Sequence, residues 1–168
     1  MDHSRILYDK IRLEAPWTSK PSWEIDAEIA ARVCDKYGDK CNADGFVHKH
    51  SIFVTDRSAG MLDSLIVDGS AIYEVVFVAT ICAPKRGEVI NCVVIDKNNE
   101  GVQCHPAGRR LPLDIVMPIE WHVDPSTINY LRKILQVGDH IQAEIIGKRF
   151  QPGDRSIRLV IQFLKKLD

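Results

Sequence analysis

Residues 71–89, AIYEVVFVATICAPKRGEV, decide how this chain folds. The first twelve are mostly β-branched or aromatic, and their apolar side chains fall on both faces of an extended strand. Such a pattern predicts a strand that is buried on both faces or lies between two packed units. The proline, the basic residues and the glycine that follow interrupt this strand. We therefore expect two domains, 1–82 and 83–168.

The first half of the chain mixes strand and helix patterns. Residues 6–13 alternate as a strand that Pro16 ends, and residues 46–55 are expected to form another strand. An apolar residue at every fourth position over residues 25–37 predicts one amphipathic helix. Gly38 is expected to end this helix in a left-handed conformation.

The second half becomes a series of short strands separated by turns. Five strands are predicted within about 80 residues, and a short helix, capped by residues 124–127, is expected near residues 128–135. This spacing suggests a small closed barrel of the oligonucleotide-binding (OB) kind. The fold class is thus predicted to be α+β.

The composition excludes several classes of protein. The 168 residues are 45% apolar and 27% charged with a net charge of -1, which is too apolar for a disordered chain. The longest charge-free apolar run, residues 75–83, is far below the ~20 residues that span a bilayer. The first residues lack the apolar block of a signal peptide, so we expect a soluble intracellular protein. Residues 1–82 carry a net charge of -4 and residues 83–168 a net charge of +3, which makes the second half the better candidate for contact with a polyanion.

Two stretches carry a resemblance to a known family. Residues 73–94, YEVVFVATICAPKRGEVINCVV, resemble the domain junction of the seventh-subunit family of eukaryotic RNA polymerase II, which has archaeal E-type and large-DNA-virus homologues. Residues 137–149, VGDHIQAEIIGKR, are similar to the fourth barrel strand of that family. Taken together and in order, they identify the chain as a candidate member.

The resemblance implies a stalk subunit of a DNA-directed RNA polymerase, without an active site, cofactor or metal of its own. Its first domain would be ribonucleoprotein-like α/β and would dock on the polymerase core subunits. Its second would be a five-stranded OB barrel of the S-one RNA-binding type that contacts nascent single-stranded RNA and supports transcription initiation. A smaller stalk partner of the fourth-subunit type is also implied. The location would be the nucleus or, for a viral protein, the virion or host cytoplasm.

The resemblance also indicates which residues would dock. In the family, the docking tip consists of the loop after the first strand and the loop between the next two, which match residues 15–17 and 57–65 here. Large apolar groups beside turn residues are typical of anchors that enter a pocket on a partner. The alternative is that they fold back onto their own domain. The candidates are Pro16, Trp17, Arg57, Met61 and Leu62.

RNA contact is expected to be weak and electrostatic. Barrels of this type usually carry an aromatic residue on the second strand, but residues 101–105, GVQCH, offer no Phe or Tyr. Stacking of about 1–3 kcal/mol per base is therefore missing there. The RNA-binding candidates are the ring-bearing His105 and Phe150 and the basic Lys97, Arg109, Arg110, Lys148, Arg149 and Arg155. Each charge could instead be an ordinary solvated one.

Other kinds of site find less support. Cys34, Cys41, His48 and His50 are of the types that bind zinc, but their spacing matches no usual finger, and we predict no metal site. The two histidines are expected to share one face of a strand. No phosphate-binding loop or hydrolase motif is present. The alternatives are a free-standing OB-fold RNA-binding protein of translation or RNA decay and, less favoured, an enzyme whose site only the fold assembles.

Overall fold

The computed structural model describes residues 1–62, 68–108 and 111–167, and its fold is α+β with a majority of strands. Its contacts divide the chain into two compact units, Asp2–Cys82 and Ala83–Asp168, the latter together with Met1. Within the described ranges, none of the helices has the length and apolar character needed to cross a membrane.

The first unit is an antiparallel sheet built around one long strand, β6. β1 pairs with β6 along its whole length, and three short strands, β3, β4 and β5, pair with it in turn. β2 extends the sheet beyond β3. The bounds are β1 (Asp2–Leu13), β2 (Lys40–Cys41), β3 (Phe46–Val47), β4 (Phe53–Arg57), β5 (Met61–Leu62) and β6 (Ala71–Cys82).

The core of this unit lies between the sheet and a helix. A four-residue helix, α1 (Ala15–Thr18), precedes α2 (Ser22–Tyr37), and α2 buries Ile25, Ile29 and Val33. Every second residue of β6 is buried, and the ring of Phe77 lies 5.2 Å from that of Tyr37. The predicted helix is confirmed, and its apolar stripe faces the core.

The predicted conformation of Gly38 is wrong. Its φ is -65°, and the following residue, Asp39, takes the left-handed conformation with φ 54°. A side chain at position 38 would place its Cβ 2.4 Å from the carbonyl oxygen of Cys34. Glycine is needed here because the helix end leaves no room for a side chain.

The strand predicted over residues 46–55 is interrupted. A 3₁₀ turn, Lys49–Ser51, separates β3 from β4. The amide of His48 donates to the carbonyl oxygen of Thr80 at 3.1 Å, while the Ser51 hydroxyl accepts from the Thr80 amide at 2.8 Å. These bonds attach the turn to β6 in place of a regular ladder, so His48 and His50 do not share a strand face.

The second unit is a closed five-stranded β-barrel. Around the ring the order is β7, β8, β9, β11, β10 and back to β7. β9 and β11 are parallel, and the other pairs are antiparallel. The predicted closed barrel of five strands is confirmed. The bounds are β7 (Val89–Lys97), β8 (Gly101–Pro106), β9 (Leu113–Pro118), β10 (His140–Arg149) and β11 (Ile157–Lys166).

A helix, α3 (Pro125–Lys133), connects β9 to β10. The carboxylate of Asp124 caps it by accepting from the amide of Thr127 at 3.1 Å and from that of Ser126. Hydrogen bonds from these two residues lower the pKa of Asp124 to about 2. Leu131 is fully buried, and the ring of Tyr130 lies 5.5 Å from that of Phe163 on β11.

Candidate nucleic-acid interface and docking surfaces

The outer face of β8 is polar but not aromatic. Gln103 and His105 are exposed, while Val102 and Cys104, which alternate with them along the strand, are buried. Burial raises the pKa of the Cys104 thiol to about 12, so this residue is a neutral member of the core. The strand therefore offers an amide and an imidazole to a ligand, and no base-stacking ring of Phe or Tyr.

A groove of about 540 Å³ runs beside this face. His105, Leu111, Pro112 and Ser156 are among its lining residues, so it extends from β8 to the end of the β10–β11 loop. The imidazole Nδ1 of His105 lies 2.9 Å from the carbonyl oxygen of Pro106. The groove thus extends from His105 to the loop in or beside which three of the six basic candidates lie.

Two of the RNA-binding candidates, Arg109 and Arg110, lie outside the described residues. Gly108 and Leu111, on either side of them, both line the groove. The RNA contact predicted for the two arginines stays a prediction.

Lys97 is held by the barrel's own helix. Its Nζ donates to the carbonyl oxygens of Arg132 at 2.8 Å and Leu135 at 2.7 Å, at the C-terminal end of α3. A cation there complements the negative end of the helix dipole. The second groove beside β8, of about 450 Å³, is also lined by Asp96 and Glu100. This side of the barrel is less suited to a polyanion than the sequence suggested.

The β10–β11 loop gathers positive charge. Lys148 and Arg149 are exposed at the end of β10, and Arg155 is exposed in the loop. The strand register places Arg149 directly opposite Arg158 of β11, which is also exposed. We call Lys148, Arg149, Arg155 and Arg158 the basic cluster. Like charges in directly opposed positions destabilise a strand pair, and a bound anion relieves this.

Phe150 stands beside the basic cluster. Its ring is half-buried, and the Nζ of Lys148 lies 5.7 Å from the ring centroid. Two nearby carboxylates have partners, since Asp154 accepts from the amide of Gln151 at 2.8 Å and Asp114 accepts from the hydroxyl of Ser156 at 2.6 Å. The loop and the strand ends beside it therefore carry four basic side chains and one aromatic ring, and the two carboxylates already accept hydrogen bonds.

Sequence reasoning missed Arg158. The residue belongs to the alternating pattern of β11 and looks like an ordinary outward-facing charge. Only the pairing of β11 with β10 shows that it adjoins Arg149. The strand alternation predicts that Arg158 points outwards. Which residue of β10 lies opposite it depends on the pairing register, and the length of the loop between the two strands sets that register.

The docking candidates lie mostly at one end of the sheet of the first unit, β1–β6, which we call the front sheet; the first unit is likewise called the front unit. Leu62 and Leu13 flank Ala71 in a single row across β5, β6 and β1, and α1 begins two residues after Leu13. The hydroxyl of Thr18 holds α1 in place through the carbonyl oxygen of Gly69 at 3.4 Å. Of the candidates on α1, Pro16 is exposed and Trp17 is half-buried.

β5 exposes both of its apolar side chains. Met61 is 59% exposed and Leu62 is 75% exposed, although both are large and apolar. The remaining residues predicted for this loop, 63–65, lie outside the described residues. Together with α1, β5 forms what we call the tip.

Arg57 differs from the other docking candidates because its side chain is bound within its own unit. The guanidinium pairs with Asp26, donates to the hydroxyl of Ser22 at 2.7 Å and lies 5.4 Å from the ring centroid of Tyr73. These contacts tie β4 to the start of α2. The structure therefore gives Arg57 a role in holding the front unit together.

One face of the first unit's sheet carries exposed apolar side chains. Ile6 and Phe53 flank Val78 of β6 in one row, and Tyr8 adjoins Val76 in the next. Ile6 is 60% exposed, Tyr8 75% and Phe53 71%. Of the two arrangements predicted for β6, burial on both faces is not found, because Val76 and Val78 on this face are only half-buried. The alternative, a strand that lies between two packed units, stays a prediction. We call this surface the open face.

The four residues considered for zinc are dispersed over separate elements. Cys34 lies on α2, Cys41 on β2 and His50 in the exposed 3₁₀ turn. Among the described residues, His48 instead lies close to Asp2 and Cys82, which sequence reasoning did not connect with it. The three are far apart along the chain, and only the sheet register brings them together.

No protein-family model matches the sequence. No curated protein resembles it closely enough in sequence to count as a relative.

Proposed function

We propose that this chain is a non-catalytic stalk subunit of a DNA-dependent RNA polymerase, which docks through its first unit and contacts nascent RNA through its barrel. The observation that carries this proposal is the barrel topology combined with the basic cluster. With its strands numbered in chain order, the ring runs 1-2-3-5-4-1, strands 3 and 5 are parallel, and a helix joins strands 3 and 4. This arrangement supports an OB barrel of the S-one type.

The location of the basic cluster supports RNA as the ligand. OB barrels bind oligonucleotides with the face of strands 2 and 3 and with the loops that join strands 1–2 and 4–5. The basic cluster and Phe150 lie in the 4–5 loop and on the strand ends beside it, and the groove beside His105 reaches Ser156 at the end of that loop. Cations there contact phosphates whatever the base sequence, and one ring can stack on a base. The expected binding is weak, salt-dependent and independent of sequence.

The exposed apolar surfaces of the first unit support assembly with other proteins. The tip, with Met61 and Leu62, is suited to enter a pocket on the polymerase core. The open face, with Ile6, Tyr8 and Phe53, provides a surface for the smaller stalk partner. Two separate surfaces fit a ribonucleoprotein-like module that connects one protein to another.

The proposed mechanism is positional. The first unit wedges its tip into the polymerase and biases a mobile element of the core towards the closed state, which assists initiation. The barrel then guides the emerging transcript by contacts with its backbone. The site of action is the nucleus or, for a viral enzyme, the virion or host cytoplasm.

The decisive experiment is purification of the tagged full-length chain from its native source, followed by identification of its companions. We expect the large polymerase subunits to accompany the wild-type chain and to be lost from a Met61→Asp, Leu62→Asp variant. The control is Val123→Asp, because Val123 is 93% exposed on the barrel unit and outside the tip. Recovery of the wild-type chain without polymerase subunits would refute the proposal.

A second candidate function is a free-standing RNA-binding protein of translation or RNA decay. The basic cluster favours it, because contact with RNA at that loop requires no polymerase. The same purification separates the two functions: ribosomes or nucleases in place of polymerase subunits would support this alternative.

A further inference from the structure

Three side chains of metal-ligating type meet at one end of the front sheet. The ligand atoms of Asp2, His48 and Cys82 all lie within 4.8 Å of one another. Asp2 is paired directly with Cys82 across β1 and β6, while Phe46 of β3 is paired with Cys82 on the other side. His48 follows two residues after Phe46, so its side chain is on the same face of the sheet. The backbone register therefore fixes the position of all three groups.

The imidazole of His48 has an unsatisfied nitrogen within this group. Its Nε2 is buried and has no hydrogen-bond partner. Oδ1 of Asp2 lies 3.5 Å from this nitrogen, which is ion-pair distance. The ring itself is held in place, because it contacts the edge of Phe46 with 5.4 Å between ring centroids and its backbone amide is bonded to Thr80. Buried polar atoms normally have a hydrogen-bond partner, so this nitrogen is available to a ligand.

The thiol of Cys82 is the buried member of this group of three side chains. Cys82 is fully buried, whereas Asp2 and His48 remain partly accessible to solvent. Burial, and then the adjacent Asp2 carboxylate, raise the pKa of the thiol to about 12. Without a cation it stays protonated next to a carboxylate. A metal ion would reach the thiol from the side of Asp2 and His48 and would release its proton to solvent.

We propose that Asp2, His48 and Cys82 form a binding site for a divalent transition-metal ion of the zinc class. Thiolate, imidazole and carboxylate are the three ligand types that zinc accepts in proteins. The sulfur and nitrogen donors argue against magnesium or calcium, which prefer oxygen. Three protein ligands leave a fourth position for water. The bound ion cross-links the start of β1, the turn after β3 and the end of β6, and so secures the end of the front sheet opposite the tip.

Cobalt provides a direct spectroscopic test on the purified, chelator-treated full-length chain. We expect Co²⁺ to produce a thiolate-to-cobalt charge-transfer band in the near ultraviolet and intense visible d–d bands, both displaced by one equivalent of Zn²⁺. His48→Gln and Cys82→Ser should lower the metal affinity by more than the roughly 10- to 100-fold typical of losing an outer-shell partner. Cys104→Ser, which removes a buried thiol from the barrel, is the matched control and should leave the bands unchanged.

A second measurement protects the test against misfolding of the Cys82 variant. Because His48 is only half-buried, the His48→Gln chain should fold, and Zn²⁺ should raise the melting temperature of the wild type but not of this variant. The proposal is overturned if the wild-type chain shows no thiolate band. It is equally overturned if His48→Gln binds as tightly as the wild type, or if Cys104→Ser removes the band.

Discussion

Removing two arginines of the basic cluster should weaken the salt dependence of RNA binding by a calculable amount. The cluster holds four cations, Lys148, Arg149, Arg155 and Arg158. If each neutralises one phosphate of a single strand, the slope of log affinity against log salt is about -0.7 for each, or roughly -2.8 in total. A fourfold rise in salt then lowers the affinity about 50-fold. For the Arg149→Ala, Arg158→Ala variant the slope is about -1.4, and the same fourfold rise in salt lowers the affinity about sevenfold.

The assay is fluorescence anisotropy of a labelled single-stranded RNA, titrated with the full-length chain over a series of salt concentrations. The control is Lys85→Ala, Arg86→Ala, which removes the same charge from two exposed positions that precede the barrel strands. This variant should keep the wild-type slope. The slope separates direct phosphate contacts from a general effect of net charge.

The same double variant also tests how the two opposed arginines affect stability, which denaturant unfolding measures. Arg149 and Arg158 are directly opposed like charges, so their removal should leave the free energy of unfolding unchanged or raise it by up to ~1 kcal/mol. A wild-type slope in this variant, or an equal loss of slope in the control, would show that the basic cluster does not contact RNA phosphates.

Two further predictions concern local stability. Gly60→Ala places a Cβ 2.7 Å from the ring of Tyr73 and should lower the free energy of unfolding, measured with denaturant, by about 1–3 kcal/mol. The control is Gly147→Ala, whose Cβ lies 3.8 Å from Val160 and which should leave this free energy nearly unchanged. Equal effects of the two substitutions would contradict the crowding at Gly60. The Asp124 carboxylate has a pKa of about 2 when folded and ~3.9 when unfolded, so its stabilising effect is complete above about pH 4 and is lost as the pH falls towards 2. Thermal unfolding should therefore show the wild type more stable than Asp124→Asn near neutral pH, with a gap that closes over that window; a gap independent of pH would argue against the cap.

The barrel could be predicted from the sequence because each of its strands buries one face in the core and exposes the other. In β11, Ile157, Leu159 and Ile161 point into the core and Arg158 points out, so the hydrophobic alternation survives in the sequence. The glycine- and proline-containing turns then separate five such segments. Closure of the ring followed from their number and spacing.

The sites were less predictable because they depend on partners that are distant in the sequence. Lys97 looked like a free cation, yet its ammonium is bound by carbonyl groups of α3 more than thirty residues later. The strand through His48 is broken by hydrogen bonds to Thr80, which no local pattern reveals. The apolar residues on the second face of β6 were recognised, but the sequence does not tell whether a partner covers them.

The position of β6 has a consequence for how the first unit is synthesised. Among the described residues, four of the five other strands of this sheet hydrogen-bond to β6, and β6 is the last of them to leave the ribosome. Some sixty residues must be translated after β1 before its partner, β6, is synthesised. Until Cys82 emerges, the nascent chain exposes unpaired strands with apolar side chains, which is the kind of species that chaperones bind. Pairing over such sequence separations also makes folding slow after release.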